Sequence, residues 1–238
     1  MAPLTERASA PGSRLLRWEV GVVLAIYPLS WTLGAVAGLG EAAAGRRPDR
    51  FAVQLPDHQV LSAAVDALVS LRMFLPVLLV GFLLARSGES LGAVGLARRF
   101  SPRDGWTTVA LFATVVGFTA AAAPLTFGTF RWENAHGLPA YFLVPGYVDA
   151  LATGFGEEIV VSGYLLHRLD QLGWAPRSAL LASTGVRVAY HVYAGLGVLP
   201  VLGMGVVFAL AWQRRRNLWP LIAAHTLFDG MLATLDAF

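Results

Sequence analysis

Glu157, Glu158, Arg187, His191, His225 and Asp229 are ionisable residues set within long apolar runs. A charged side chain at the centre of a bilayer costs about 3 kcal/mol even on lenient scales, so each is a candidate for function unless it pairs structurally. The residue types suit amide hydrolysis. A buried carboxylate can take a proton from water, a histidine can hold that water and return the proton, and further donors can stabilise an oxyanion.

Spacing refines the roles. In Gly154-Phe155-Gly156-Glu157-Glu158, adjacent carboxylates on an α-helix point about 100° apart, so one can face a cavity while the other pairs with a neighbour. Asp149, Thr153 and Glu157 follow at i, i+4 and i+8, which draws one polar stripe toward Glu157. His191 falls one turn after Arg187 on the same face, and His225 one turn before Asp229. The plain alternative is a structural ion pair between the glutamates and Arg187, with each histidine a hydrogen-bonded core residue. Two intramembrane histidines, one spaced i, i+4 from an aspartate, favour the chemical reading. Asp66 and Arg72 lie six residues apart on different faces and read as packing or cavity-edge residues.

The elements that must carry these groups form an all-α, polytopic transmembrane bundle of about seven spans. The 238 residues are 56% hydrophobic and 14% charged, with a mean hydropathy of +0.59. That is far more apolar than soluble domains, and no stretch is left for a separate soluble domain. The expected spans run over residues 18–40, 61–85, 106–125, 147–166, 176–193, 198–212 and 218–235. Ser101-Pro102-Arg103-Asp104 reads as a helix start before the third, and Pro176 opens the fifth. Residues 1–17 read as a disordered cytoplasmic tail, and 18–238 as one membrane-embedded helical domain. The first run is longer than the apolar core of a signal peptide and reads as a retained span.

All 18 basic residues are arginine, and they cluster between apolar runs, which reads as topology rather than nucleic-acid contact. With the N-terminus in the cytoplasm, the groups at 7–17, 86–103, 168–177 and 214–216 lie inside, while Arg46, Arg47, Arg50 and Arg131 lie outside. The chain has no cysteine, which excludes disulfides, zinc–thiolate sites, iron–sulfur clusters and a cysteine nucleophile. No internal repeat supports an inverted-repeat transporter.

Glu157-Glu158 followed by Gly163-Tyr164-Leu165, then Tyr190-His191, then His225-Thr226-Leu227-Phe228-Asp229 resemble the CPBP family, the CAAX-protease and bacteriocin-processing (Abi) membrane proteins. The resemblance covers about residues 140–236. It implies that Glu157 and His191 activate the hydrolytic water, that His225 and Asp229 bind or polarise the scissile carbonyl, and that Glu158 is the supporting carboxylate. The family is often described as metalloproteases, and Glu157, His191 and His225 could form a His₂Glu set for Zn²⁺ with an open position. Metal-assisted and metal-free glutamate chemistry both fit the sequence.

Two positions depart from the family pattern. The first motif usually reads Glu-Glu-x-x-x-Arg, and the arginine position here is Ser162; the second usually reads Phe-x-x-x-His, and the phenylalanine position here is Arg187. Each change involves one charge, and we expect Arg187 to supply from a neighbouring helix the charge missing at Ser162. The leading expectation is an intramembrane endopeptidase acting on a membrane-associated peptide or protein, in a bacterial plasma membrane, with no nucleic-acid partner. The alternative is a non-catalytic pseudoprotease or membrane peptide-binding or immunity protein. A proton- or ion-coupled transporter is a third reading.

Overall fold

A computed structural model describes residues 11–43, 59–96, 99–126 and 143–237. Residues 1–10, Arg46, Arg47, Arg50 and Arg131 lie outside the described residues. Among the described residues the chain is helical throughout, with no strand.

The first helix begins earlier than the sequence suggests. α1 (Pro11–Leu24) already includes residues 11–17, continues through a π-helical segment at Ala25–Leu29, and passes into α2 (Ser30–Ala43). Pro28 sits in the π segment, where a missing N–H removes one ladder bond and the wider turn absorbs it. α3 (Gln59–Ser70) joins α4 (Phe74–Arg86) through a 3₁₀ turn at Leu71–Met73. α5 (Pro102–Thr126) is capped as its start signal implies: Asp104 Oδ2 accepts from the Ser101 N–H (2.8 Å) and from the Ser101 hydroxyl (2.6 Å).

The second half holds α6 (Leu143–Glu157), a π-helical segment at Glu158–Leu165, α7 (Leu166–Gln171), α8 (Pro176–Ala189), a 3₁₀ turn at Val192–Gly197, α9 (Val198–Arg215) and α10 (Trp219–Ala237). The segment from Glu158 to Leu165 is the centre of the bundle, and each of its residues is buried. α6 packs chiefly on α10 and also meets α3, while α8 packs on α9 and α5 bridges α9 and α10. Gly154 sets the α6–α10 approach, because a Cβ there would collide with Thr226. At the turn after α9, Leu218 N–H donates to the Gly95 carbonyl (3.1 Å) and Trp212 Nε1–H to the Val94 carbonyl (2.9 Å), so the 91–96 loop is stitched to that end. Gly95 has φ +106°, and a side chain there would also strike the Arg216 carbonyl.

Among the described residues, four helical stretches are long and apolar enough to cross a bilayer: Gly12–Ala37, Val60–Arg86, Pro102–Thr126 and Val192–Arg215. These correspond to four of the seven expected spans. The other three, α6 through α7, α8 and α10, are the ones that carry the ionisable residues. α8 is also shorter than the 176–193 span read from the sequence: its 14 residues rise about 21 Å, less than a hydrocarbon core of about 30 Å. Exposed Leu75, Leu78 and Phe82 on α4 and Trp106 and Val109 on α5 present apolar surface outward, as lipid-facing helices do.

Candidate active site

The π-helical segment begins at Glu158, directly after α6 ends at Glu157. In an i→i+5 turn, consecutive side chains diverge less in azimuth than in an α-helix. Glu157 and Glu158 are both buried in the bundle, at 4% and 0% exposure, and both meet Arg187 of α8, itself 1% exposed. Arg187 Nη1 donates to Glu157 Oε2 at 2.9 Å, and Nη2 donates to Glu158 Oε1 at 2.8 Å. Nη2 also lies 3.3 Å from the Ser162 hydroxyl, which donates to Glu158 Oε2 at 2.5 Å. A guanidinium fork spans two carboxylates where one ammonium could not.

α10 completes the cluster. His225 Nδ1 is 2.7 Å from Glu158 Oε1, and its Nε2 is 3.3 Å from Asp229 Oδ2. With a carboxylate at each nitrogen, the ring satisfies both only when both nitrogens carry hydrogen. His225 is buried, whereas the Asp229 side chain is 28% exposed, so this chain of groups runs from the interior toward the surface.

The two glutamates are not equivalent. Glu158 has Arg187 and His225 on Oε1 and Ser162 on Oε2, so both oxygens are engaged. On Glu157 both hydrogen bonds fall on Oε2, from Arg187 and from the Tyr190 hydroxyl at 2.8 Å. Among the described residues none reaches Oε1.

His191 lies just beyond α8. The sequence places it on the same helix as Arg187, but α8 ends at Ala189 and His191 has left helical geometry (φ −110°, ψ 6°). The reason is local: its Nδ1 satisfies the Arg187 carbonyl at 2.9 Å, one of the orphan acceptors of a helix end. A carbonyl can only accept, so Nδ1 carries a hydrogen, and in the neutral ring Nε2 is the nitrogen with the lone pair. The ring packs on Tyr190 (centroids 4.7 Å apart) and stacks on Tyr193 (6.0 Å).

Glu157, Glu158, Arg187, His225 and Asp229 are thus joined in one bonded network, with His191 attached through Tyr190 and the Arg187 backbone. The zinc set of Glu157, His191 and His225 is not assembled: among the described residues no three His, Asp or Glu side chains gather as metal ligands. His225 is engaged at both nitrogens, and Glu157 Oε2 faces two donors. The donor atoms as placed do not fit a metal.

Tyr190 stood in the sequence only as the neighbour of His191, and nothing in its spacing marked it as a ligand of Glu157. Asp149 accepts from the Ser70 hydroxyl (2.8 Å), which ties the polar stripe of α6 to α3. A second buried arginine was also hidden. Arg168, read as part of a basic loop, is 1% exposed and bonds Glu89, Gln171 and Ser87. Asp66 and Arg72 stay apart from the cluster; Arg72 lies over the Trp31 ring at 4.6 Å.

Residues 139–231 match the family model described as Rce1-like, Type II CAAX prenyl endopeptidase Rce1-like. These residues form a domain of the CPBP/CAAX protease family. The match spans α6 to most of α10 and so contains Glu157, Glu158, Ser162, Arg187, His191, His225 and Asp229. No curated protein and no solved structure matches the chain. The matched domain and the long apolar helices together support an integral membrane protein.

Proposed function

We propose that the chain is an intramembrane endopeptidase in which Glu157 is the general base. The observation that carries this reading is the asymmetry of the two acids. Glu158 is saturated by Arg187, His225 and Ser162, whereas Glu157 keeps one oxygen clear of hydrogen bonds. Oε1 of Glu157 takes a proton from water while His191 Nε2, left with its lone pair, helps hold it. The hydroxide adds to the scissile carbonyl carbon and its oxygen becomes an oxyanion. His225 Nε2–H stabilises that oxygen. Its contact with Asp229 is long, at 3.3 Å, and the Asp229 side chain is 28% exposed, so the substrate carbonyl can share it. Collapse breaks the C–N bond, and the proton held by Glu157 passes to the leaving amine.

Arg187 stands in for the arginine that the family pattern places at position 162. It neutralises Glu158 from the neighbouring helix, and Ser162 occupies the second oxygen of that carboxylate. The substrate class is a membrane-associated peptide or protein. The family description points to prenylated CAAX termini; maturation of a bacterial peptide uses the same chemistry. The setting is a bacterial plasma membrane with the N-terminus in the cytoplasm, which agrees with the arginine distribution.

One observation favours a second reading, a peptide-binding pseudoprotease. Arg187 also pairs with Glu157 itself, and an ion pair lowers the basicity of a carboxylate. Cleavage of membrane-anchored peptides, prenylated and plain, by purified wild type and Glu157→Ala separates the two when read by mass spectrometry. Products that vanish in the variant support the protease. A folded wild type that binds peptide without cutting it supports the pseudoprotease. Chelator-insensitive cleavage supports metal-free chemistry.

A further inference from the structure

Tyr190 occupies a place in the network that no family motif assigns. It is the first residue beyond α8 (φ −86°, ψ 2°). Its hydroxyl donates to Glu157 Oε2, and its ring lies tilted against that of His191, with centroids 4.7 Å apart. It therefore touches both groups assigned to the hydrolytic water. The ring is 5% exposed and is backed edge-on by Tyr27 at 6.2 Å between centroids. Tyr27 belongs to the π-helical segment of the first helix, which lies outside the matched region at 139–231.

A carboxylate acts as a base only if a lone pair points at the water, and rotation about its last bond exchanges the two oxygens. Arg187 alone could follow either oxygen, since it also bridges to Glu158. A second, rigid donor on Oε2 removes that freedom, because a tyrosine has two side-chain torsions and this one is packed between His191 and Tyr27. We propose that Tyr190, buttressed by Tyr27 from the first helix, is a positioning residue that holds Oε2 of Glu157 and so presents Oε1 to the hydrolytic water. This rests on the protease reading. It extends that reading by making the first helix part of the active-site support.

The test is steady-state cleavage by wild type, Glu157→Gln, Tyr190→Phe, Tyr27→Ala and the Tyr190→Phe/Tyr27→Ala double variant. Losing a hydrogen bond to a charged group lowers kcat about ten- to a hundredfold. We expect that loss in Tyr190→Phe with KM unchanged, a smaller loss in Tyr27→Ala, and little further loss in the double variant. Wild-type kcat in Tyr190→Phe, or a change confined to KM, overturns the positioning role while leaving the protease reading intact. No cleavage by folded wild type overturns the protease reading and this role with it. Should Tyr190→Phe fail to fold, 3-fluorotyrosine at position 190 keeps the ring and hydroxyl but makes the phenol more acidic. A changed pH profile of kcat then supports the role, and an unchanged one overturns it.

Discussion

Two arginines, Arg187 and Arg168, are each 1% exposed and each reach two carboxylates, yet their surroundings differ. Arg187 lies inside the bundle among Glu157, Glu158, Ser162 and His225, all buried. Arg168 lies at one end, where Glu89 Oε1 and Gln171 Oε1 each accept from Nη1 at 2.7 Å, and Glu19 Oε2 is 3.8 Å from Nη2. Its network runs outward: Arg86, 44% exposed, pairs with Glu19, and His167 Nε2 is 2.5 Å from Glu89 Oε2. The buried groups of the inner cluster mostly satisfy one another, and only Asp229 at its edge is partly exposed. In the outer one, Glu19 Oε2, Arg168 Nε and the Tyr164 hydroxyl are buried without hydrogen-bond partners. Among the described residues, the opening in the inner cluster is a single oxygen of Glu157, whereas in the outer one the unmet groups are scattered over three residues at an end of the bundle.

The sharpest contrast is in activity. Glu157→Gln should lower peptide cleavage by about 10²- to 10⁴-fold without lowering the melting temperature, while Glu89→Gln should leave cleavage near wild type. Equal losses in the two variants would erase the distinction between the clusters.

Stability comes next. Arg187→Ala leaves buried carboxylates unpaired and should cost about 3–5 kcal/mol, seen as collapse of expression or a much lower melting temperature in detergent. Arg187→Lys should recover part of it, because an ammonium can pair with one of the two acids but cannot span both. Arg168→Ala should cost less, about 1–3 kcal/mol, since Glu89 can turn to water. A cost for Arg168→Ala equal to that of Arg187→Ala would mean the outer network is as closed as the inner one.

The smallest effect is on pH dependence. Burial pushes the Glu89 carboxyl up, but hydrogen bonds from Gln171, His167 and Arg168 outweigh it and hold the group below its ordinary 4.5. A depressed carboxyl stabilises the fold above the unfolded value, and that contribution is lost as pH falls through the folded value. The melting temperature of wild type should therefore fall below about pH 4.5, and Glu89→Gln should flatten that part of the curve. An unchanged acid limb in the variant would show that the outer network does not titrate through Glu89.

Much of the site was legible from residue type alone. Ionisable residues in apolar runs are costly enough to stand out, so Glu157, Glu158, Arg187, His225 and Asp229 could be named from the chain. The deficit at Ser162 and the surplus at Arg187 are two halves of one charge balance, and they could be set beside each other before any geometry was known. Tyr190 and Tyr27 carried no such mark, because a tyrosine is at ease in an apolar helix and its partner is decided by packing. The end of α8 was also hidden: apolar periodicity runs on past Ala189, and only the capping bond from His191 to the Arg187 carbonyl shows where the helix stops.

Residue types alone point to a helical membrane protein and to the charges at its centre, though not to buried Arg168, because hydropathy and charge cost are properties of residues taken one at a time. Which oxygen of which glutamate stays open was decided only by the tertiary structure. That choice depends on Arg187 of α8 bridging both acids, on Gly154 letting α10 bring His225 to Glu158, and on Tyr190 reaching Glu157 from the end of α8. Each is a relation between elements distant in sequence, and no local pattern encodes it.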